Sequence, residues 1–151
     1  MNSFRDFAGA ALATSLGTGF FPVAPGTVGS ILAAIVFVFF GRGRPFLLVP
    51  IIALAWVGCH FGRRLWGEDP SRVNIDEFAG CWVACLASPS GWGLYGIAAA
   101  LALFRVMDIA KPWPVFLLDR IDSSFGILAD DIAAGLIAGA LLFGAGALLP
   151  W

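Results

Sequence analysis

Hydrophobic positions in this chain come in long unbroken runs, not in alternating or helical-face patterns. Residues 7–41, 45–62, 78–104 and 132–151 contain no Asp, Glu, Lys or Arg. A membrane-crossing helix needs roughly 20 predominantly apolar residues. The last run meets that length directly, and the second is short but adequate. In the first, a Gly/Pro-rich piece precedes the apolar part, so only about Val28 to Phe40 reads as membrane helix. The third run is interrupted by Ser88-Pro-Ser-Gly91, a strong turn signal. It predicts a hairpin of two helices, about 75–87 and 92–110, the first too short to span at ~1.5 Å per residue. That first arm is either re-entrant or packed inside the bundle. The expected fold is all-α: one membrane-embedded helical bundle over residues 1–151, with about four hydrophobic stretches and the third a broken hairpin.

The polar segments fill in the plan. Residues 1–27 read as an amphipathic start and a turn-rich loop, with Thr27 as N-cap of the first apolar helix. Gly41 to Pro45 is a tight turn. Residues 63–77 form a polar segment ending at Asp76-Glu77, and residues 115–131 form another ending at Asp130-Asp131, each at the start of an apolar helix. Pro112 and Pro114 end the helix before them.

Composition agrees with the runs. Hydrophobic residues make up 60% and charged residues 13% of the chain, too few charges to cover a soluble domain of this size. The net charge of −1 leaves no basic field for nucleic acid. Cys59, Cys81 and Cys85 are odd in number and lack a Cys-x-x-Cys pair, so they read as small buried hydrophobes. His60 reads as an interior residue. The N-terminus, with Arg5 followed at once by Asp6, is a poor signal peptide and is expected to be retained.

Charge sidedness carries the functional information. With the third run folded as a hairpin, Arg5, Arg63, Arg64, Arg72, Arg105, Lys111 and Arg120 share one side, and only Arg42 and Arg44 lie on the other. That bias makes the shared side cytoplasmic. All ten acids fall on it as well: Asp6, Glu68, Asp69, Asp76, Glu77, Asp108, Asp119, Asp122, Asp130 and Asp131.

Two adjacent-acid pairs, Asp76-Glu77 and Asp130-Asp131, stand out. One acid at a helix start is explained by the helix dipole, worth roughly 0.3–1 kcal/mol, and Asn74 with Glu77 fits a capping box. Capping does not need two acids in a row, and adjacent carboxylates repel unless a cation lies between them. Hard oxygen ligands in this arrangement suit Mg²⁺, which binds through a few carboxylates plus a substrate phosphate. Asp108 and Lys111, three residues apart, are expected to pair, with Lys111 on a phosphate oxygen and Pro112 stiffening the backbone behind it. The small-residue loop into Thr27 and Ser30 feeds a helix N-terminus, a site for anions. Arg105 or Arg120 is a further candidate for the phosphate. A small transporter using intramembrane carboxylates is the alternative, but it predicts acids in mid-membrane and on both sides.

Four segments together resemble the phosphatidylglycerophosphatase A family. They are Ala13 to Ser30 with its Ala-Pro-Gly-Thr-Val-Gly-Ser end, Ile75-Asp-Glu-Phe-Ala-Gly80, Phe104 to Pro114 with Asp-x-x-Lys-Pro-Trp-Pro, and Gly126 to Gly135 around Asp130-Asp131. They cover nearly the whole chain, in order. Ser123-Ser124 depart from the family pattern, which has glycines before Gly126, and this bears on the flexibility of that loop. The resemblance implies an all-helical, Mg²⁺-dependent lipid phosphatase of the bacterial inner membrane. Its substrate would be phosphatidylglycerophosphate, and its products phosphatidylglycerol and phosphate. It also implies a catalytic set of Asp76, Glu77, Asp108, Lys111, Asp130 and Asp131, with metal on Asp76, Glu77, Asp130 and Asp131 and phosphate near Thr27, Ser30, Arg105 and Lys111.

Overall fold

A computed structural model describes residues 3–68 and 70–149. Asp69, counted above among the acids, lies outside them. All regular structure among the described residues is helical. In chain order the helices are α1 (Phe4–Ala13), α2 (Pro25–Val36), α3 (Leu48–Trp66), α4 (Ile75–Leu86), α5 (Gly93–Ala110), α6 (Val115–Asp119) and α7 (Ser124–Leu148). A turn of π-helix, Phe37–Gly41, prolongs α2, and single 3₁₀ turns precede α3 and α5.

Three helical stretches, Pro45–Trp66, Ser90–Ala110 and Ser124–Leu148, are long and apolar enough to cross a membrane, and Pro25–Gly41 is a shorter apolar helix. Their outward faces carry large apolar side chains such as Phe39, Val49, Ile109 and Phe143, each more than two-thirds exposed. A water-facing surface would not carry this many, whereas lipid favours them. The protein is a helical membrane bundle.

α4 is the centre. It packs against α7, α2, α3 and α5, and Ile75, Asp76 and every residue from Ala79 to Cys85 are buried. The hairpin therefore forms as expected, and its short arm is enclosed by protein. Ala33, Ala34, Phe37, Trp82, Phe104, Ala134 and Leu142 form the main core around it. Phe37 meets Trp82 edge-on at 5.0 Å between ring centroids.

Close approach depends on two glycines. A Cβ on Gly80 would lie 2.5 Å from the Asp131 carbonyl, and one on Gly135 would strike the Gly80 carbonyl. Small residues at a helix crossing let backbones meet in this way.

Several boundaries differ from the sequence expectation. The first apolar helix begins at Pro25, not after Thr27: Ala24 takes a left-handed conformation (φ 48°) and Pro25 occupies the first helical position, where its fixed φ fits and its missing N–H costs nothing. Thr27 is therefore inside the helix and caps nothing. Asn74 sits at the N-cap of α4 but its side chain makes no capping bond. Its amide instead donates to Thr18 Oγ1 (2.9 Å) and the Pro25 carbonyl (3.0 Å), fastening the N-terminal loop to α4. Asp130 and Asp131 do not start a helix, because α7 already begins at Ser124. The Ser123 hydroxyl accepts from the Gly126 N–H at 3.0 Å, so the serine that replaces a glycine caps α7 instead.

Candidate active site

The end of the bundle formed by the C-terminal turns of α3 and α5, the start of α4, α6 and the first half of α7 encloses a pocket of about 290 Å³. Eight of the ten acids line it: Glu68, Asp76, Glu77, Asp108, Asp119, Asp122, Asp130 and Asp131. The basic residues on its wall are Arg63, Lys111 and Arg120. Arg42 and Arg44 belong to the turn before α3, at the other end.

The deepest part is a carboxylate cluster. Asp76, Glu77 and Asp131 each offer an oxygen, and these oxygens lie within 4.8 Å of one another. The glycine crossing sets this up. Gly80 is four residues after Asp76 and Gly135 four after Asp131, so each acid lies one turn above a crossing glycine on the same face. Bringing the backbones together at the glycines brings the carboxylates together above them.

Isolation from water makes the cluster costly in its fully ionised form. Burial raises the Asp76 carboxyl above its ordinary value, against hydrogen bonds from Glu77 that lower it. Burial likewise pushes Glu77 well up, and the Asp76 carboxylate adds to the effect while Arg105 opposes it. Asp76 Oδ1 and Glu77 Oε2 are buried without a hydrogen-bond partner. Unpartnered, converging, hard oxygen atoms fit a small divalent cation.

Lys111 lies beside the cluster in a left-handed conformation (φ 43°) at the end of α5. Its ammonium donates to Asp130 Oδ2 at 3.0 Å and, very closely, to Asp119 Oδ1. Burial acts against the ammonium, but the two carboxylates outweigh it and hold its pKa above the ordinary lysine value. The expected Asp108–Lys111 pair is not formed. Asp108 instead binds Arg105 at 2.6 Å, one turn back on α5, because Lys111 has left the helix and points across to α6 and α7. Asp130 thus faces Lys111, and the carboxylate cluster holds three acids, not the four expected.

All six sequence candidates for catalysis, Asp76, Glu77, Asp108, Lys111, Asp130 and Asp131, line this one pocket. The phosphate-binding candidates divide. Ser30 is fully buried and donates to the Gly26 carbonyl at 2.9 Å. Thr27, on the same helix, is off the wall. A Cβ on Gly26 would strike the Glu77 carboxylate and approach the Arg105 guanidinium at 3.3 Å. The anion that the start of α2 faces is therefore Glu77. Arg105 stands behind Asp108.

Sequence reading missed Asp119, Arg63 and Asp122 as pocket residues, and missed the glycine crossing. The Asp-x-x-x-Gly spacing shared by Asp76–Gly80 and Asp131–Gly135 was the available signal for the crossing.

Fold and pocket together define a helical membrane protein with an acid-lined, lysine-bearing cavity. Comparison with known proteins narrows this. A sequence model of phosphatidylglycerophosphatase A matches residues 11–146. The phosphatidylglycerophosphatase A of Escherichia coli is 35% identical over 140 residues, covering 87% of this chain and 80% of its own length. That of Haemophilus influenzae is 33% identical, with 87% and 85% covered. A Bacteroides thetaiotaomicron protein provisionally named phosphatidylinositol-3-phosphatase is 38% identical over 141 residues, with 83% and 85% covered. No solved structure gives a significant match. The chain belongs to the phosphatidylglycerophosphatase A family and is a phosphatase.

Proposed function

We propose that this phosphatase is Mg²⁺-dependent and hydrolyses the terminal monoester of phosphatidylglycerophosphate, releasing phosphatidylglycerol and inorganic phosphate at the cytoplasmic face of the bacterial inner membrane. The observation that carries this reading is the convergence of Asp76, Glu77 and Asp131 within 4.8 Å beside Lys111. The family and two of the relatives supply the substrate. The single-sided acids and the seven-to-two distribution of basic residues support the cytoplasmic orientation.

Asp76, Glu77 and Asp131 would hold the cation. When bound, it supplies charge neutralisation at the phosphate oxygens and a more acidic water. The protein's own groups do the rest. Lys111 turns from Asp119 toward a phosphate oxygen and stabilises the charge that develops there. Asp130 keeps the ammonium in place as it turns, since it grips from the buried side. Arg105, paired with Asp108, offsets the charge of Glu77. The bundle leaves the diacylglycerol part in lipid while the phosphate enters the pocket.

The test is phosphate release by purified protein in detergent, with Mg²⁺ and with chelator. Phosphatidylinositol 3-phosphate belongs in the same assay, because one relative's name points to it. Release from phosphatidylglycerophosphate only with Mg²⁺ is expected. No release from that lipid, or release indifferent to chelator, overturns the reading.

A further inference from the structure

The pocket has more cationic wall than one phosphate needs. Lys111 is committed to Asp119 and Asp130. Two arginines share the pocket wall, Arg63 partly buried and Arg120 exposed, and the mechanism above uses neither. Arg63, in the last turn of α3, binds Asp122 at 2.7 Å, but that carboxylate is 63% exposed. A pair with one partner this open to water contributes little, and an incoming anion can replace it. Arg120 has no carboxylate partner among the described residues. Its guanidinium lies 5.2 Å from the Phe116 ring centre.

One short segment ties the three cations into a row. Residues 119–122 all line the pocket. Asp119 holds Lys111, Arg120 follows, and Asp122 holds Arg63. Lys111 and Arg63 are partly buried and Arg120 is exposed. Guanidinium groups bind phosphate oxygens through a planar fork, whereas an ammonium acts as a point charge. A lysine that contacts two of the pocket acids and two arginines with little or no carboxylate hold on them suit a head group with two phosphorus centres, a terminal monoester and a diester nearer the lipid.

We infer that Arg63 and Arg120 form a second phosphate subsite, which binds the phosphodiester linking the head group to diacylglycerol. The inference rests on the lipid-phosphatase reading and adds its selectivity. Both lipids that the relatives' names specify, phosphatidylglycerophosphate and a phosphatidylinositol phosphate, carry such a diester; phosphatidic acid does not. The subsite makes the enzyme a reader of the diester as well as a hydrolase of the monoester, and sets phosphatidic acid aside for lack of the diester anchor.

Two competitive inhibitors separate the subsites. Phosphatidylglycerol carries only the diester, and inorganic phosphate only the terminal group. In neutral detergent micelles, Arg63→Gln and Arg120→Gln are expected to raise the inhibition constant of phosphatidylglycerol about tenfold, with a smaller effect on that of phosphate. KM for phosphatidylglycerophosphate should rise more than kcat falls, the mark of uniform binding. Arg63→Lys should recover part of the loss, since it restores charge without the fork. Equal weakening of both inhibitors would mean a structural role and would overturn the inference. So would an effect confined to anionic vesicles and absent in neutral micelles, which would mean attraction to the surrounding surface. Direct binding of phosphatidylglycerol, measured by its shift of the melting temperature, reads the subsite even if the wild-type protein releases no phosphate. Absent turnover with an arginine-dependent shift would count against the proposed reaction alone.

Discussion

The two adjacent-acid pairs look alike in the chain and behave differently in the fold. Asp76 and Glu77 begin α4, and their side chains converge on one point. Asp130 and Asp131 lie well inside α7, where consecutive residues diverge by about 100°. Asp131 therefore joins Asp76 and Glu77, while Asp130 turns to Lys111. At a helix start, a longer Glu can reach back to its neighbour's position. Within a helix no such freedom exists, so the pair divides between two tasks. Adjacency in sequence is thus evidence of a shared pocket but not of a shared ligand.

Substitutions can break that distinction. The largest effects should come from the converging acids. Asp76→Asn and Asp131→Asn are each expected to lower kcat by ~10³-fold or more, beyond the loss of a single oriented donor, with the helical circular dichroism preserved. Near-normal turnover in either would remove it from the cluster. Gly135→Val should act almost as strongly without touching an acid, because its side chain forces α7 off the Gly80 carbonyl and parts the carboxylates; a functional variant there would show that the crossing does not position them.

Next comes Lys111→Ala, expected to cost ~10²–10³ in kcat, with Lys111→Arg recovering only part. Asp130→Asn should fall below both, at ~10–100-fold, the scale on which groups that orient a functional residue act. If Asp130→Asn is as damaging as Asp131→Asn, the division between the two aspartates fails. The smallest expected effect is on stability. Asp76 and Glu77 have pKa values raised by burial, so the metal-free fold holds protons there that the unfolded chain releases. That contribution is complete below the ordinary carboxylate range and is lost as pH rises through the raised values. Metal-free protein should melt a few degrees lower near pH ~8 than near ~5.5, and saturating Mg²⁺ should narrow the gap. A gap indifferent to Mg²⁺ would mean that these carboxyls do not bind the metal.

Much of this was legible in the chain. Uncharged runs predicted the apolar helices, and Ser88-Pro-Ser-Gly91 predicted the break between α4 and α5, because membrane length and turn chemistry are local properties. The five candidate acids and the lysine were found for a similar reason: polar groups are conspicuous in a chain this apolar. Partners were less legible. Lys111 was matched with Asp108 on helical spacing, but its left-handed backbone takes it off the helix toward Asp119 and Asp130. Asn74 was read as a cap, yet its amide reaches 49 and 56 residues away to Pro25 and Thr18. Such choices depend on which helices meet, and that depends on Gly80 and Gly135, two residues with no chemistry of their own.

The burial of α4 has a consequence for how the protein is made. Twelve residues long and bearing Asp76 and Glu77 at its head, this helix is poorly suited to rest alone in lipid. Its largest packing partner, α7, follows it in the chain and leaves the ribosome later. Until that helix arrives, the nascent chain holds an incomplete centre with two acids lacking their third. A chain cut short before Ser124 would retain two of the three apolar stretches long enough to span yet lack the surface that encloses α4. Membrane proteases that survey unassembled helices should clear such fragments quickly, so completion of the catalytic cluster doubles as a checkpoint of assembly.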